Sequence, residues 1–355
     1  MIKDLLSDPT TRVILCCGAG GVGKTTTAAA IALQAADQGR KTVVLTIDPA
    51  RRLAQALGLN ELSFEPHAVK AVPNLYAMQL DMKRTFDEIV LAHADPDRAR
   101  TILENPFYIS LSSSFAGTQE YMAMEKLGQL LASQEWDLIV VDTPPSRSAL
   151  DFLDAPARLG SFLDGRLIKF LTTPAKAGGW AITRILNTGI QLFASTISKI
   201  LGGQILTDIS AFVSALDSVF GGFRKRADET YQLLKAPGSA FIVVAVPERD
   251  PIREAEFFID RLNSEGMPLA GVIVNRVSPS LAPITISESK ELQKSASPEL
   301  NSALDLHIEN VRAKTNEERL IKTIKAPALL RIEDADGEIS DIAGLRSIDL
   351  AGKSL

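Results

Sequence analysis

The chain has 355 residues, of which 46% are hydrophobic and 23% charged, and its formal net charge is −5. That length carries a large core, in one big domain or two modest ones, and the acidic balance argues against a general nucleic-acid-binding surface. The two cysteines, Cys16 and Cys17, are adjacent in a predicted strand and so face opposite ways, which leaves no disulfide and no thiolate zinc or other metal site to expect.

In chain order, Met1 to Asp8 is too short and too acidic for a signal peptide. No run of 18 uncharged apolar residues follows anywhere, so no membrane span is expected and the default compartment is the cytoplasm. Arg12–Cys17 reads as a buried strand, and Thr25 to Gln38 as an Ala-rich helix. Between them, Gly18-Ala-Gly-Gly-Val-Gly-Lys-Thr25 has the spacing Gly-x-x-x-x-Gly-Lys-Thr. A glycine loop between a strand and a helix is the context of a phosphate-binding loop. Its glycines let backbone N–H groups curl around phosphates, and the helix N-terminus adds partial positive charge. The expected phosphate contacts are Gly20, Gly21, Val22, Gly23, Lys24, Thr25 and Thr26, with Lys24 on the outer phosphates and the Thr25 hydroxyl on Mg²⁺.

Further apolar runs recur at Thr42–Ile47, Leu75–Leu80, Trp136–Val141, Ala240–Val246, Leu269–Val277 and Pro327–Ile332. They are rich in Val and Ile and mostly do not alternate, the pattern of parallel strands covered on both faces. Their alternation with helical segments predicts an α/β fold, a doubly wound, mostly parallel sheet. Two long gaps, Asp81 to Glu135 and Leu150 to Pro237, read as helical. The predicted organisation is a single domain over 1–345. Its core takes in about 1–80, 136–150 and 237–345, with an inserted α-helical subdomain at about 81–135 and 151–236. Residues 346–355 form a tail.

Within the second gap, Ala181 to Phe220 holds four charged residues in forty: Arg184, Lys199, Asp208 and Asp217. Ile182, Ile185, Leu186, Ile190, Phe193, Ile197 and Ile200 recur at helical spacing, and the opposite face carries Thr, Asn, Gln, Ser and Gly where a surface helix carries Lys and Glu. Two readings stand. These helices pack into a larger helical core or a dimer interface, or they form a groove for a hydrophobic client or for a membrane surface, which would make the protein peripheral at the membrane.

Three strand ends carry the remaining candidate chemistry. Asp48, in Thr46-Ile-Asp-Pro-Ala-Arg-Arg52, follows the second strand, where a carboxylate can orient or deprotonate the attacking water. Asp142, in Val140-Val-Asp-Thr-Pro-Pro145, follows another apolar run, the place of a carboxylate near Mg²⁺; the Pro-rich turn after it can respond to the outer phosphate. The predicted catalytic set is Lys24, Asp48 and Asp142, and the predicted metal set Thr25, Asp48 and Asp142. Asn275, ending Gly271-Val-Ile-Val-Asn, offers both a donor and an acceptor to an adenine edge. Pro247 and Glu248, after the preceding strand, are candidates for the wall of the base pocket.

Taken together, Gly18–Thr26, Thr46–Ala50, Asp142–Pro145, Pro247-Glu248 and Val274-Asn275 have the order and spacing of the arsenical-pump and tail-anchored-protein-targeting ATPases. Leu80-Asp81 and Phe115-Ala-Gly-Thr-Gln-Glu120 are also similar to that family, and the resemblance covers about residues 11 to 345. The chain resembles a bacterial-type member of this arsenite-pump-like branch of the deviant-Walker ATPases. The resemblance implies an ATP-binding, Mg²⁺-dependent ATPase that works as a dimer, with helical subdomains that rearrange with nucleotide state to handle a hydrophobic or membrane-associated client. The septum-placement and plasmid-partition ATPases share the phosphate loop, but their chains are usually shorter and lack a large helical insert.

Three departures stand out. The family pattern begins Gly-Lys-Gly-Gly, and its first lysine reaches the partner's nucleotide; Ala19 holds that position here. Arg51, Arg52 and Arg147 lie in the switch regions, where the family has few arginines, and each is a candidate to replace the lysine. No Cys-x-x-Cys occurs, so no zinc-clamped dimer is expected. A second reading follows from Ala19: a nucleotide-binding regulatory subunit with weak or no turnover, paired in a heterodimer with a related, active ATPase.

Overall fold

The computed structural model describes residues 1–105, 108, 119–144, 225–279, 282–335, 337 and 339–351. Phe115–Thr118, Pro145, Arg147, Ser148 and Ala181–Phe220 lie outside the described residues. The chain divides into two compact units, one of Met1–Gln79, Ser133–Leu150 and Leu233–Leu355, the other of Leu80–Ala132 and Asp151–Gln232.

The first unit is built on one eight-stranded sheet. Its strands are β1 (Val13–Gly18), β2 (Thr42–Thr46), β3 (His67–Ala68), β4 (Leu75–Gln79), β5 (Leu138–Asp142), β6 (Ser239–Ala245), β7 (Leu269–Val277) and β8 (Leu329–Glu333), in the order β3-β4-β2-β5-β1-β6-β7-β8. All neighbours pair parallel except β3 and β4. This is the mostly parallel α/β sheet expected from the Val- and Ile-rich runs. Every residue of β1, β2 and β5 is buried, as strands covered on both faces require. The predicted strands recur within two residues at each end. The exceptions to the reading are two short elements: the exposed two-residue edge strand β3, and the N-terminal helix α1 (Ile2–Ser7), which buries Ile2 and Leu6.

Helix α2 (Lys24–Asp37) follows β1 and buries ten of its fourteen residues, six of them alanines. Small side chains let it lie close on the sheet, where it shares an apolar layer with Ile14, Val44, Val140 and Ile242. After β2 comes α3 (Arg52–Ala56). Later helices of this unit include α8 (Arg249–Glu265), α9 (Ile286–Gln293), α10 (Pro298–Ile321) and α11 (Ile342–Arg346). In α8, Ile252, Ala255, Phe258, Ile259 and Leu262 form one buried stripe at helical spacing.

The second unit contains α4 (Met82–His93), α5 (Pro96–Leu103), α6 (Gln119–Ala132) and most of a further helix, α7, over residues 225–235. Asp81 and Asp95 cap α4 and α5 by accepting from the backbone N–H of Arg84 and Arg98. Charged pairs cross between its helices: Lys126 reaches Glu88 at 2.7 Å, and Arg226 reaches Glu125 at 2.8 Å. Among the described residues, no helix is long and apolar enough to cross a membrane.

Candidate functional site

In an open, mostly parallel α/β sheet, groups gather where strands end at their carboxyl edge. Here β1, β2, β5 and β7 deliver the glycine-loop residues, Asp48, Asp142 and Asn275 to that edge. The loop after β1 closes on α2 through Gly23, which has φ +94°; a Cβ there would lie 2.3 Å from Asn275 Nδ2. Only glycine satisfies both the backbone and the close approach.

Lys24 is 7% exposed, and its Nζ donates to the Ala19 carbonyl at 2.7 Å. Burial lowers the pKa of its ammonium, an effect opposed by the charge of Asp142. Ala19 itself is buried in the apolar layer, so position 19 contributes a carbonyl to the site and no charge.

The two acidic residues are joined through hydroxyls. Parallel pairing places Thr46 opposite Asp142. Thr46 Oγ1 donates to Asp142 Oδ2 at 2.9 Å and accepts from the Asp48 N–H at 3.2 Å. Thr25 Oγ1 donates to the same Asp142 oxygen at 2.8 Å. Asp48 Oδ1 in turn accepts from the Ala50 N–H at 2.9 Å, which closes the turn after β2. Asp142 is fully buried, and burial pushes its carboxyl up to about 6 even though the Thr25 and Thr46 hydroxyls pull it down.

Asp142 Oδ1 is buried without a hydrogen-bond partner among the described residues. The nearby donor set, Thr25 hydroxyl with Asp142 and Asp48 carboxylates, is oxygen only, the chemistry a hard divalent cation takes. Among the described residues no group of three or more His, Cys, Asp or Glu could hold a metal by itself. Mg²⁺ is usually held by one or two carboxylates together with substrate phosphates. These residues fit the ion.

Asn275 Nδ2 donates to the Val22 carbonyl at 3.0 Å. A carbonyl can only accept, so the chemistry itself fixes which amide atom faces the loop. Asn275 Oδ1 is then left as the acceptor.

A cavity of about 1160 Å³ spans this edge within the first unit. Lys24, Thr25, Asp48 and Arg52 line it at the loop, and Asn275 and Glu333 line it farther along the sheet. Gly21, Gly23 and Thr26 also border it. Gly20, Val22, Asp142, Pro247 and Glu248 are not on its wall: Gly20 and Glu248 are exposed, whereas Val22, Asp142 and Pro247 are buried. Asp142 bears on the cavity through Thr25. Arg51 is exposed and off the wall. Thr46 and Thr143 did not stand out in the sequence. Thr143 Oγ1 donates to the Cys16 carbonyl at 2.8 Å and borders the cavity.

The anion-transporting ATPase family model matches residues 11–326. The chain is 26% identical over 285 residues to an ATPase ASNA1 homolog of Entamoeba dispar, a match covering 78% of this chain and 80% of that protein. It is 25% identical over 279 residues to the ATPase GET3 of Malassezia globosa, covering 78% and 76%. With an ATPase ASNA1 homolog of Entamoeba histolytica, the match is 24% identical over 334 residues and covers 92% and 95%.

Proposed function

This chain belongs to the anion-transporting ATPase family and is an ATPase, and from that premise we propose that it hydrolyses ATP in a Mg²⁺-dependent cycle at the loop between β1 and α2. The observation that carries this reading is the continuous line of contacts from Thr25 through Asp142 and Thr46 to the Asp48 turn. It links the phosphate-loop hydroxyl to the Asp142 carboxylate and, through Thr46, to the backbone N–H of Asp48, so a ligand at Thr25 and the position of Asp48 are tied.

In this reading Lys24 exchanges the Ala19 carbonyl for phosphate oxygens, and the backbone N–H groups of Gly21, Gly23, Thr25 and Thr26 bind the phosphates at the α2 N-terminus. Thr25 and Asp142, with Asp48 nearby, hold Mg²⁺, which supplies charge neutralisation to the outer phosphates. Asp48 accepts a hydrogen bond from the attacking water and fixes its line of approach. Asn275, its amide nitrogen engaged by Val22, offers Oδ1 to the exocyclic amine of adenine. Guanine presents a carbonyl at that position, so ATP is favoured over GTP.

The turnover serves dimer opening and closing, either with a second copy or with a related ATPase, and the handling of a hydrophobic or membrane-associated client. The low charge of Ala181–Phe220 supports the client part of this reading. We read the core at about 1–80, 136–150 and 237–345 and the helical insertion at about 81–135 and 151–236; after residue 345, Ile348 and Leu350 are buried in the apolar core of the first unit. The test is phosphate release by purified protein with MgATP. Wild type should turn over, and Lys24→Ala should lose at least about 10²-fold, the order expected when a preorganised charge on the transferring phosphoryl group is removed. Wild-type turnover equal to that of Lys24→Ala would sink the proposal.

A further inference from the structure

Arg52 is the first residue of α3, four positions after Asp48, and its side chain lines the cavity beside Lys24, Thr25 and Asp48. It is exposed and makes no hydrogen bond or ion pair among the described residues. Most other cations on this wall are committed. Lys24 donates to Ala19. Lys314 donates to the Ser278 and Pro279 carbonyls at 3.2 and 2.8 Å. Arg331 pairs with Glu318 at 2.6 Å. Arg276, next to Asn275 in β7, is exposed and also makes no hydrogen bond or ion pair among the described residues. Of these two uncommitted cations, Arg52 is the one that follows the Asp48 turn directly, at the start of α3.

Its charge is also felt at Lys24. The Arg52 guanidinium is among the groups that lower the pKa of Lys24, after burial. Two positive groups held near each other, with one of them buried, are unfavourable alone and favourable around a polyanion. A triphosphate exceeds a diphosphate by one phosphoryl group, and a guanidinium fork matches its oxygens with two parallel hydrogen bonds.

Building on the proposed ATP site, we propose that Arg52 binds the terminal phosphoryl group of ATP from within the same chain and so separates ATP from ADP. Ala19 supplies no charge at the loop, and Arg52 brings one from the turn after β2. Because α3 directly follows the Asp48 turn, gain or loss of that phosphoryl group also acts on the backbone that carries Asp48. Arg51 serves as an internal comparison, being equally exposed but off the cavity wall.

The experiment measures binding of Mg²⁺ with the β,γ-imido analogue of ATP, and of Mg²⁺ with ADP, by calorimetry. The proteins are wild type, Arg52→Ala, Arg52→Lys, Arg51→Ala and Lys24→Ala. Arg52→Ala should weaken the triphosphate analogue on the order of 10- to 100-fold, the range for loss of charge-assisted hydrogen bonds. ADP affinity should stay within about threefold, under 1 kcal/mol. Arg52→Lys should recover part of the triphosphate affinity, and Arg51→Ala should match wild type. Equal weakening of both nucleotides by Arg52→Ala, or no weakening of either, overturns the assignment. If instead wild type and Lys24→Ala bind alike, the ATP site itself is misplaced, and that failure is separate from the failure of Arg52. Arg52→Lys keeps the positive charge, so loss of ADP binding in both Arg52 variants also counts against a role confined to the terminal phosphate.

Discussion

Thr46 is the residue on which the site turns. Its hydroxyl donates to Asp142 and accepts from the Asp48 N–H, and the residue is 1% exposed. In the sequence it reads as one more β-branched strand residue, because β-propensity and a structural hydroxyl call for the same side chain. Thr46→Val keeps the shape and removes the hydroxyl, leaving a buried carboxylate oxygen and a backbone N–H each short of a partner. We expect a loss of about 1–3 kcal/mol in urea unfolding, the range for an unmade buried hydrogen bond. Turnover should fall as well, and Thr46→Ser should restore most of both. A Thr46→Val protein with wild-type stability and turnover would remove the hydroxyl link from the mechanism. Asn275 illustrates the same limit: an amide's donor and acceptor are visible in the sequence, but only the Val22 carbonyl decides which is committed.

At the scale of elements, strand register makes the site. Thr46 meets Asp142 because β2 and β5 pair in parallel with Thr42 opposite Leu138; a slip of one residue would turn Thr46 to the other face. Helix ends are more local and so more legible. Thr285-Ile-Ser-Glu288 forms a capping box at the start of α9: Thr285 Oγ1 accepts from the Glu288 N–H, and Glu288 Oε2 accepts from the Thr285 N–H at 2.7 Å. The Thr285 N–H, and after it the Thr285 hydroxyl donating to Oε2 at 2.7 Å, hold the Glu288 carboxyl below its ordinary range. A lowered carboxyl pKa contributes stability above the unfolded-state pKa and loses it as pH falls through the folded value. Wild type should therefore exceed Glu288→Gln in thermal stability at neutral pH, and the gap should close at acid pH, below the usual glutamate range. A gap that persists unchanged into acid would show that the carboxylate charge has no part in the cap.

For the whole molecule, the proposed opening and closing needs a dimer, to which position 19 contributes no charge. The 38.3 kDa chain should sediment as a species of about twice that mass in MgATP, and the association should strengthen with concentration. A strictly monomeric protein in every nucleotide state would remove dimer opening and closing from the proposal. The net charge of −5 gives no electrostatic reason for nucleic acid to compete for either surface.

The sequence alone determined the strands, because runs such as Val13–Cys17 and Leu138–Val141 are apolar on both faces and only a doubly covered sheet accommodates them. It also determined the glycine loop between β1 and α2, because the positive φ of Gly23 is a local backbone demand. It did not reveal β3, whose two exposed residues carry no period, or α1, which is only six residues long. What only the tertiary structure decided is the company each functional side chain keeps. Asp142 meets Thr25 and Thr46 across strands, Asn275 gives its donor to Val22, and Arg52, not Arg51, lines the cavity. Each of these depends on contacts between residues far apart in the chain, set by sheet order and register, and so none is encoded in a local stretch.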